Sequence, residues 1–129
     1  METKQIKQMP DLSGFSGTEG YHYLNFLKTL KFTDGWAYLA DKVSCFWLAD
    51  IVASVQHLPK IKDNNSFIVW RIEVKNSKAV VSAYSDSEGD GTYSKDKLLY
   101  KQELNYTDFP EGEFEWYQCG DVVLLKGEY

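Results

Sequence analysis

Hydrophobic residues along the chain recur at two periods, and the switch falls after residue 65. Before it, Trp36, Leu39, Ala40 and Val43 return every three or four positions, the spacing of one helix face. Thr33 and Asp34 stand just ahead and can accept hydrogen bonds from the free N–H groups of a first turn, which predicts a helix over about 35–42. Phe46, Trp47, Leu48, Ile51, Val52 and Val55 leave only a narrow polar stripe. A second helix is therefore expected over 45–58, buried on most sides and stopped by Pro59. Residues 21–30 fit both periods, and an extended segment is the reading adopted.

After the switch the period is two. Residues 66–75 alternate, with Ile68, Trp70, Ile72 and Val74 facing one way and Arg71, Glu73 and Lys75 the other. Asn76-Ser77-Lys78 reads as a turn, and 79–85 as the returning strand. A third strand covers 98–106, and 114–118 with 122–125 form a last hairpin around Gly120-Asp121. Tight links between consecutive strands imply an antiparallel meander. The expected class is α+β: an antiparallel sheet of about five strands, mostly within 66–125, with two N-terminal helices packed on one face.

Composition adds limits. The 129 residues fit a single domain, with 1–16 as a loosely ordered lead-in from which Leu12 and Phe15 dock on the body. Four Trp, nine Tyr and seven Phe favour a sheet-rich core, or an aromatic surface for a partner. Acidic residues outnumber basic ones 19 to 14, giving a net charge of −5, and Arg71 is the only arginine. Nucleic-acid affinity draws on Lys and Arg, so direct nucleic-acid contact is not expected. Two cysteines make no disulfide framework, the first residues carry no apolar signal segment, and the run 45–55 is too short to span a bilayer. A cytoplasmic protein without membrane contact is the expectation.

Several constellations invite chemistry. Asp50, Ser54 and His57 share a face of the second predicted helix, acid, hydroxyl and imidazole in a row. A working triad needs the imidazole between the other two, whereas here the serine is in the middle, so a polar helix stripe is the simpler reading. Asp50, among apolar neighbours, reads as a buried acid in need of a donor. Asp86, Glu88 and Asp90 resemble the start of a calcium loop. The closing bidentate glutamate is replaced by Lys97 and the flanks read as strands, so an acidic turn is expected instead. His22, His57, Cys45 and Cys119 lack the short spacings of structural zinc. A Cys119–His57 nucleophile pair would need only to meet in space, but nothing singles it out. Glycine-rich phosphate motifs are absent, and no cofactor is expected.

Four pieces, taken together, have a familiar order. They are Gly17-Thr18-Glu19 with Tyr21 and Tyr23; Phe32-Thr33-Asp34-Gly35 with Tyr38-Leu39-Ala40-Asp41; Phe46-Trp47-Leu48-Ala49-Asp50 with Ile51, Ala53 and Ser54; and Tyr106-Thr107-Asp108-Phe109-Pro110 with 122–125 and Glu128-Tyr129. In this order the chain, from about residue 12 onward, resembles a family of small bacterial proteins of unknown function often carried on plasmids, phages and other mobile elements. The resemblance implies no activity, cofactor or catalytic residue. The chain departs from the family pattern at Lys126-Gly127 and in a long 86–92 turn.

Three functions compete. A non-catalytic interaction or accessory factor, binding another protein or itself, fits the aromatic excess and the absent active-site grammar. Self-pairing would follow if 66–75 or 122–125 lay at a sheet edge. A small hydrolase would use carboxylates near the helix starts with His22 or His57; Asp34, Asp41, Asp50, Asp108 and Glu111 offer many pairs, as in any acidic protein. A small-ligand binder would need an aromatic cleft between helices and sheet.

Overall fold

The structure, a computed structural model, describes residues 9–16, 20–24, 30–85 and 95–129. Strand β1 (Tyr21–His22) pairs antiparallel with β2 (Lys31–Thr33). Three helices follow: α1 (Asp34–Val43), α2 (Phe46–Ser54) and α3 (Pro59–Asp63). The chain then lays down β3 (Ile68–Lys75), β4 (Lys78–Tyr84), β5 (Leu98–Leu104), β6 (Gly112–Cys119) and β7 (Val122–Leu125). A 3₁₀ turn, Lys126–Glu128, follows β7.

Among the described residues the seven strands form one sheet in the order β1-β2-β7-β6-β3-β4-β5. The α+β class stands, but the sheet is larger than the expected five strands and it is mixed. β2 runs parallel to β7, with Phe32 beside Val123, while every other pair is antiparallel. β1 and β2 are two and three residues long, too short to display a period of their own. The expected extended segment 21–30 contains β1, and its residues 25–29 lie outside the described set.

The expected hairpins are present. Asn76 and Ser77 both have positive φ, 54° and 63°, and join Lys75 to its partner Lys78. Two left-handed residues in a two-residue link match the twist of the flanking strands. The β6–β7 hairpin turns at Gly120 (φ 64°) and pairs Cys119 with Val122. The third strand stops at Leu104 rather than 106.

The helices differ more. α1 matches its predicted face, with Trp36, Leu39, Ala40 and Val43 buried, and the Thr33 hydroxyl accepts from the Trp36 N–H at 3.4 Å. Left-handed Ser44 (φ 54°, ψ 46°) ends it. Of the single helix expected over 45–58 only α2 forms, ending at Ser54 with turns to Leu58, and α3 begins beyond it, so Pro59 starts a helix where it was expected to stop one. A proline disfavours helical geometry in the residue before it, and Leu58 is extended (φ −67°, ψ 135°). At the first helical position the missing N–H would have had no partner anyway.

Buried residues of all three helices join one hydrophobic cluster with Ile68, Trp70, Ile72, Val74, Trp116 and other inward residues of the sheet. Trp70 and Trp116 lie opposite each other on β3 and β6 with nearly parallel rings, and Trp36 meets Trp116 edge-on at 5.8 Å. Leu12 and Phe15 pack against this cluster, Phe15 within 5.2 Å of the Tyr38 ring. The indole N–H groups of Trp36 and Trp116 are buried with no hydrogen-bond acceptor among the described residues.

Candidate functional site

The outward face of the sheet carries a connected row of charge. Period-two alternation sends Arg71 and Glu73 of β3 away from the core, and cross-strand register sets Glu115 opposite Arg71 and Glu113 opposite Glu73. One Arg71 nitrogen, Nη1, donates to Glu115 at 3.1 Å; the other, Nη2, reaches Glu113 at 2.8 Å and also Glu73. Lys126 completes the row by meeting the second oxygen of Glu115 at 2.5 Å. Burial works against the Arg71 charge, but Glu73, Glu113 and Glu115 outweigh it and hold the guanidinium above its ordinary pKa. Arg71 is therefore a fixed cation that lets two like-charged glutamates face each other across the strands.

Two clefts adjoin at Arg71. The larger, about 490 Å³, runs toward Leu12, Lys126 and Gly127; the smaller, about 310 Å³, lies over Ser82, Tyr84 and Lys101. No residue of α1, α2 or α3 lines either. Along the same face Phe67, Tyr117 and Tyr129 form a ring cluster, with the Lys126 ammonium 5.8 Å from the Tyr117 centroid.

A second polar centre joins the 3₁₀ turn after β7 to the start of α1. Glu128 is 8 % exposed. Its Oε1 accepts from the Thr33 hydroxyl at 2.5 Å and the Leu125 N–H at 3.0 Å, and its Oε2 accepts from the Gly35 N–H at 3.1 Å. The carboxylate thus serves the free donors and the positive end of α1. A Cβ on Gly35 would fall 2.6 Å from Glu128 Oε1 and from Leu125 Cδ1, so only glycine permits this approach. Just outside, Asp34 accepts from the Gly20 N–H at 3.1 Å and meets His22 Nε2 at 2.8 Å.

The candidate triad is not assembled. α2 ends at Ser54, leaving His57 in the turn beyond it, and Asp50, Ser54 and His57 are all exposed. Ser54 donates back to the Ile51 carbonyl at 2.9 Å. The expectation that Asp50 is a buried acid is corrected: it lies exposed on the outer side of α2. Asp86, Glu88 and Asp90 lie outside the described residues. Of the hydrolase pairs, His22 and Asp34 do meet, but neither lines one of the two clefts.

Cys45 is buried at the start of α2, and Cys119 is half-buried at the end of β6. Burial pushes the Cys119 thiol above its ordinary pKa, away from the thiolate that a nucleophile requires. Iodoacetamide at pH 8 is expected to modify Cys119 more slowly than free cysteine, and Cys45 only after unfolding. Because the folded thiol has the higher pKa, the native state loses relative stability as pH rises from the unfolded thiol's pKa through the folded one. That alkaline loss should shrink in Cys119→Ala, as urea titrations at several pH values would measure.

The residues that sequence reasoning passed over are Glu128, Arg71 and the glutamates around it. A signal for the charged face existed: the alternation that placed Arg71 and Glu73 outward places Glu113 and Glu115 outward as well.

The chain was compared with known proteins. A model for a family of unknown function (DUF6876) matches residues 6–129. No curated protein and no solved structure matches the chain.

Proposed function

The chain belongs to the family of unknown function DUF6876, and from that premise, which hands down no activity, we propose that it is a non-catalytic protein-interaction module. Its contact surface is the outward sheet face around Tyr129. The observation that carries this reading is a ring both exposed and held. Tyr129 is 74 % exposed, yet its ring stands edge-on to Phe67 at 5.5 Å and to Tyr117 at 5.4 Å. A ring already fixed loses little freedom when a partner covers it, and such aromatic anchors dominate contact energies.

Farther along the same face Glu73 and Glu113 share the single Arg71 cation, and with a net charge of −5 this favours a partner that brings a basic segment. The larger cleft is lined by Arg71, Glu113, Glu115 and Lys126 together with Leu12, Phe114 and Leu125, a mixed lining suited to polypeptide side chains. An accessory role on a mobile element, the setting implied by the resemblance, is one in which such a module would serve.

The test is site-specific photocross-linking in the native host. A benzoylphenylalanine at position 129 is expected to give a discrete adduct that Tyr117→Ala weakens. The same probe at Lys60, exposed on α3, should give none. Equal adducts at both positions, or a hydrolytic activity lost in His22→Ala, would replace this reading.

A further inference from the structure

β5 ends the sheet, and among the described residues no strand lies on its far side. Which of its groups face outward follows from the ladder. The two-residue turn at Asn76-Ser77 makes Lys75 and Lys78 a pair that exchanges both backbone hydrogen bonds, and such pairs alternate along an antiparallel ladder. Even-numbered β4 residues therefore bond toward β3, and Ala79, Val81 and Ala83 bond toward β5. Their partners Leu104, Gln102 and Tyr100 spend their backbone groups inward. The N–H and C=O groups of Lys101 and Glu103 point outward, and both side chains are exposed on the sheet's outward face.

An edge of this kind is a template for another strand, and charged residues usually guard it. Here the two guards have opposite signs and lie two residues apart. For two antiparallel copies related by a two-fold axis, three registers place that axis within residues 101–103. Centring on Lys101 sets lysine against lysine, and centring on Glu103 sets glutamate against glutamate. Centring on Gln102 sets each Lys101 against the other copy's Glu103, and Tyr100 against Leu104. Opposite charges directly across a ladder stabilise it and like charges oppose it, so two registers are penalised and one is favoured.

We infer that two copies of this chain pair antiparallel through the outer edges of their β5 strands, in the register that sets Lys101 against Glu103 and Gln102 against its own counterpart. This goes beyond the interaction reading above and uses a separate surface. Strands β3 and β7, for which the sequence suggested self-pairing if they lay at an edge, are interior and unable to take this role.

Light scattering on the full chain after size exclusion tests the inference. The wild type is expected at twice the 14.9 kDa chain mass at high concentration, shifting toward one chain mass on dilution. Lys101→Glu or Glu103→Lys alone places like charges across the axis and should return the monomer mass. The double swap restores complementarity and should restore the dimer. Both positions are exposed, so circular dichroism should find all variants folded. In a Cys119→Ser background, Gln102→Cys should cross-link to itself on mild oxidation, because residues at a non-hydrogen-bonded pair have Cα atoms about 4.5 Å apart. A Cys at exposed Lys78 should not. A wild type of one chain mass at its solubility limit overturns the inference, as does a double swap that stays monomeric. Loss of the Tyr129 adduct with the dimer intact would instead count against the interaction face alone.

Discussion

Glu128→Ala is expected to lower the unfolding free energy by about 3 kcal/mol, read as a fall in the urea midpoint at unchanged slope. The carboxylate receives three hydrogen bonds, from the Thr33 hydroxyl and from the N–H groups of Gly35 and Leu125. Truncation leaves those donors buried beside a void, and a stranded buried donor costs more than an intact bond contributes. Glu128→Gln keeps the shape but presents an NH₂ group to one of the donors, so it should recover only part of the loss. A cycle with Thr33→Val isolates the link between them, because the two residues share one bond and the double variant should then be less damaged than the sum of the singles. A loss near zero for Glu128→Ala would mean that water replaces the carboxylate and that the junction is not dry.

The second large effect lies in the core. Gln118 is fully buried on β6 and joins Gln56, after α2, in a reciprocal amide pair of 3.0 and 2.7 Å. Its oxygen also accepts from the Trp70 indole N–H at 3.0 Å, and its nitrogen donates to the Gly120 carbonyl at 2.9 Å. Gln118→Leu is expected to cost about 2–4 kcal/mol, because it strands the Trp70 donor and the Gln56 amide together. Converting both glutamines should be milder than adding the two single losses, since neither amide is then left alone. Thermal unfolding of the two singles and the double decides this. Additive losses would show that the reciprocal pair contributes no coupling.

Where one face is buried and the other wet, the sequence was readable. The alternation from Ile68 to Lys75 has inward residues that are all buried, and Asn76-Ser77 marks its turn. Thr33 and the spacing of Trp36, Leu39, Ala40 and Val43 located α1 to within one residue. What stayed hidden was non-local. Nothing in Lys31-Phe32-Thr33 announces a strand, because its identity comes from Val122 and Val123, some ninety residues away. Glu128 resembles an ordinary surface acid until the fold brings it to the start of α1. The apolar stretch from Phe46 to Val55 concealed the end of α2 at Ser54, because hydrophobicity continues to Val55 after the helix has stopped. The Asp50 stripe misled for the opposite reason. It faces outward, as the helix spacing allowed, and only its apolar sequence neighbours suggested burial.

The parallel contact between β2 and β7 has a consequence during translation. β7 is the last of these seven strands in chain order, yet it occupies a place between β2 and β6. Until the ribosome has released residues 122–125, Phe32 and Trp36 lack the neighbours that bury them in the finished protein. A nascent chain therefore carries an unfinished apolar seam until β7 emerges, surface of the kind that chaperones holding emerging polypeptides recognise.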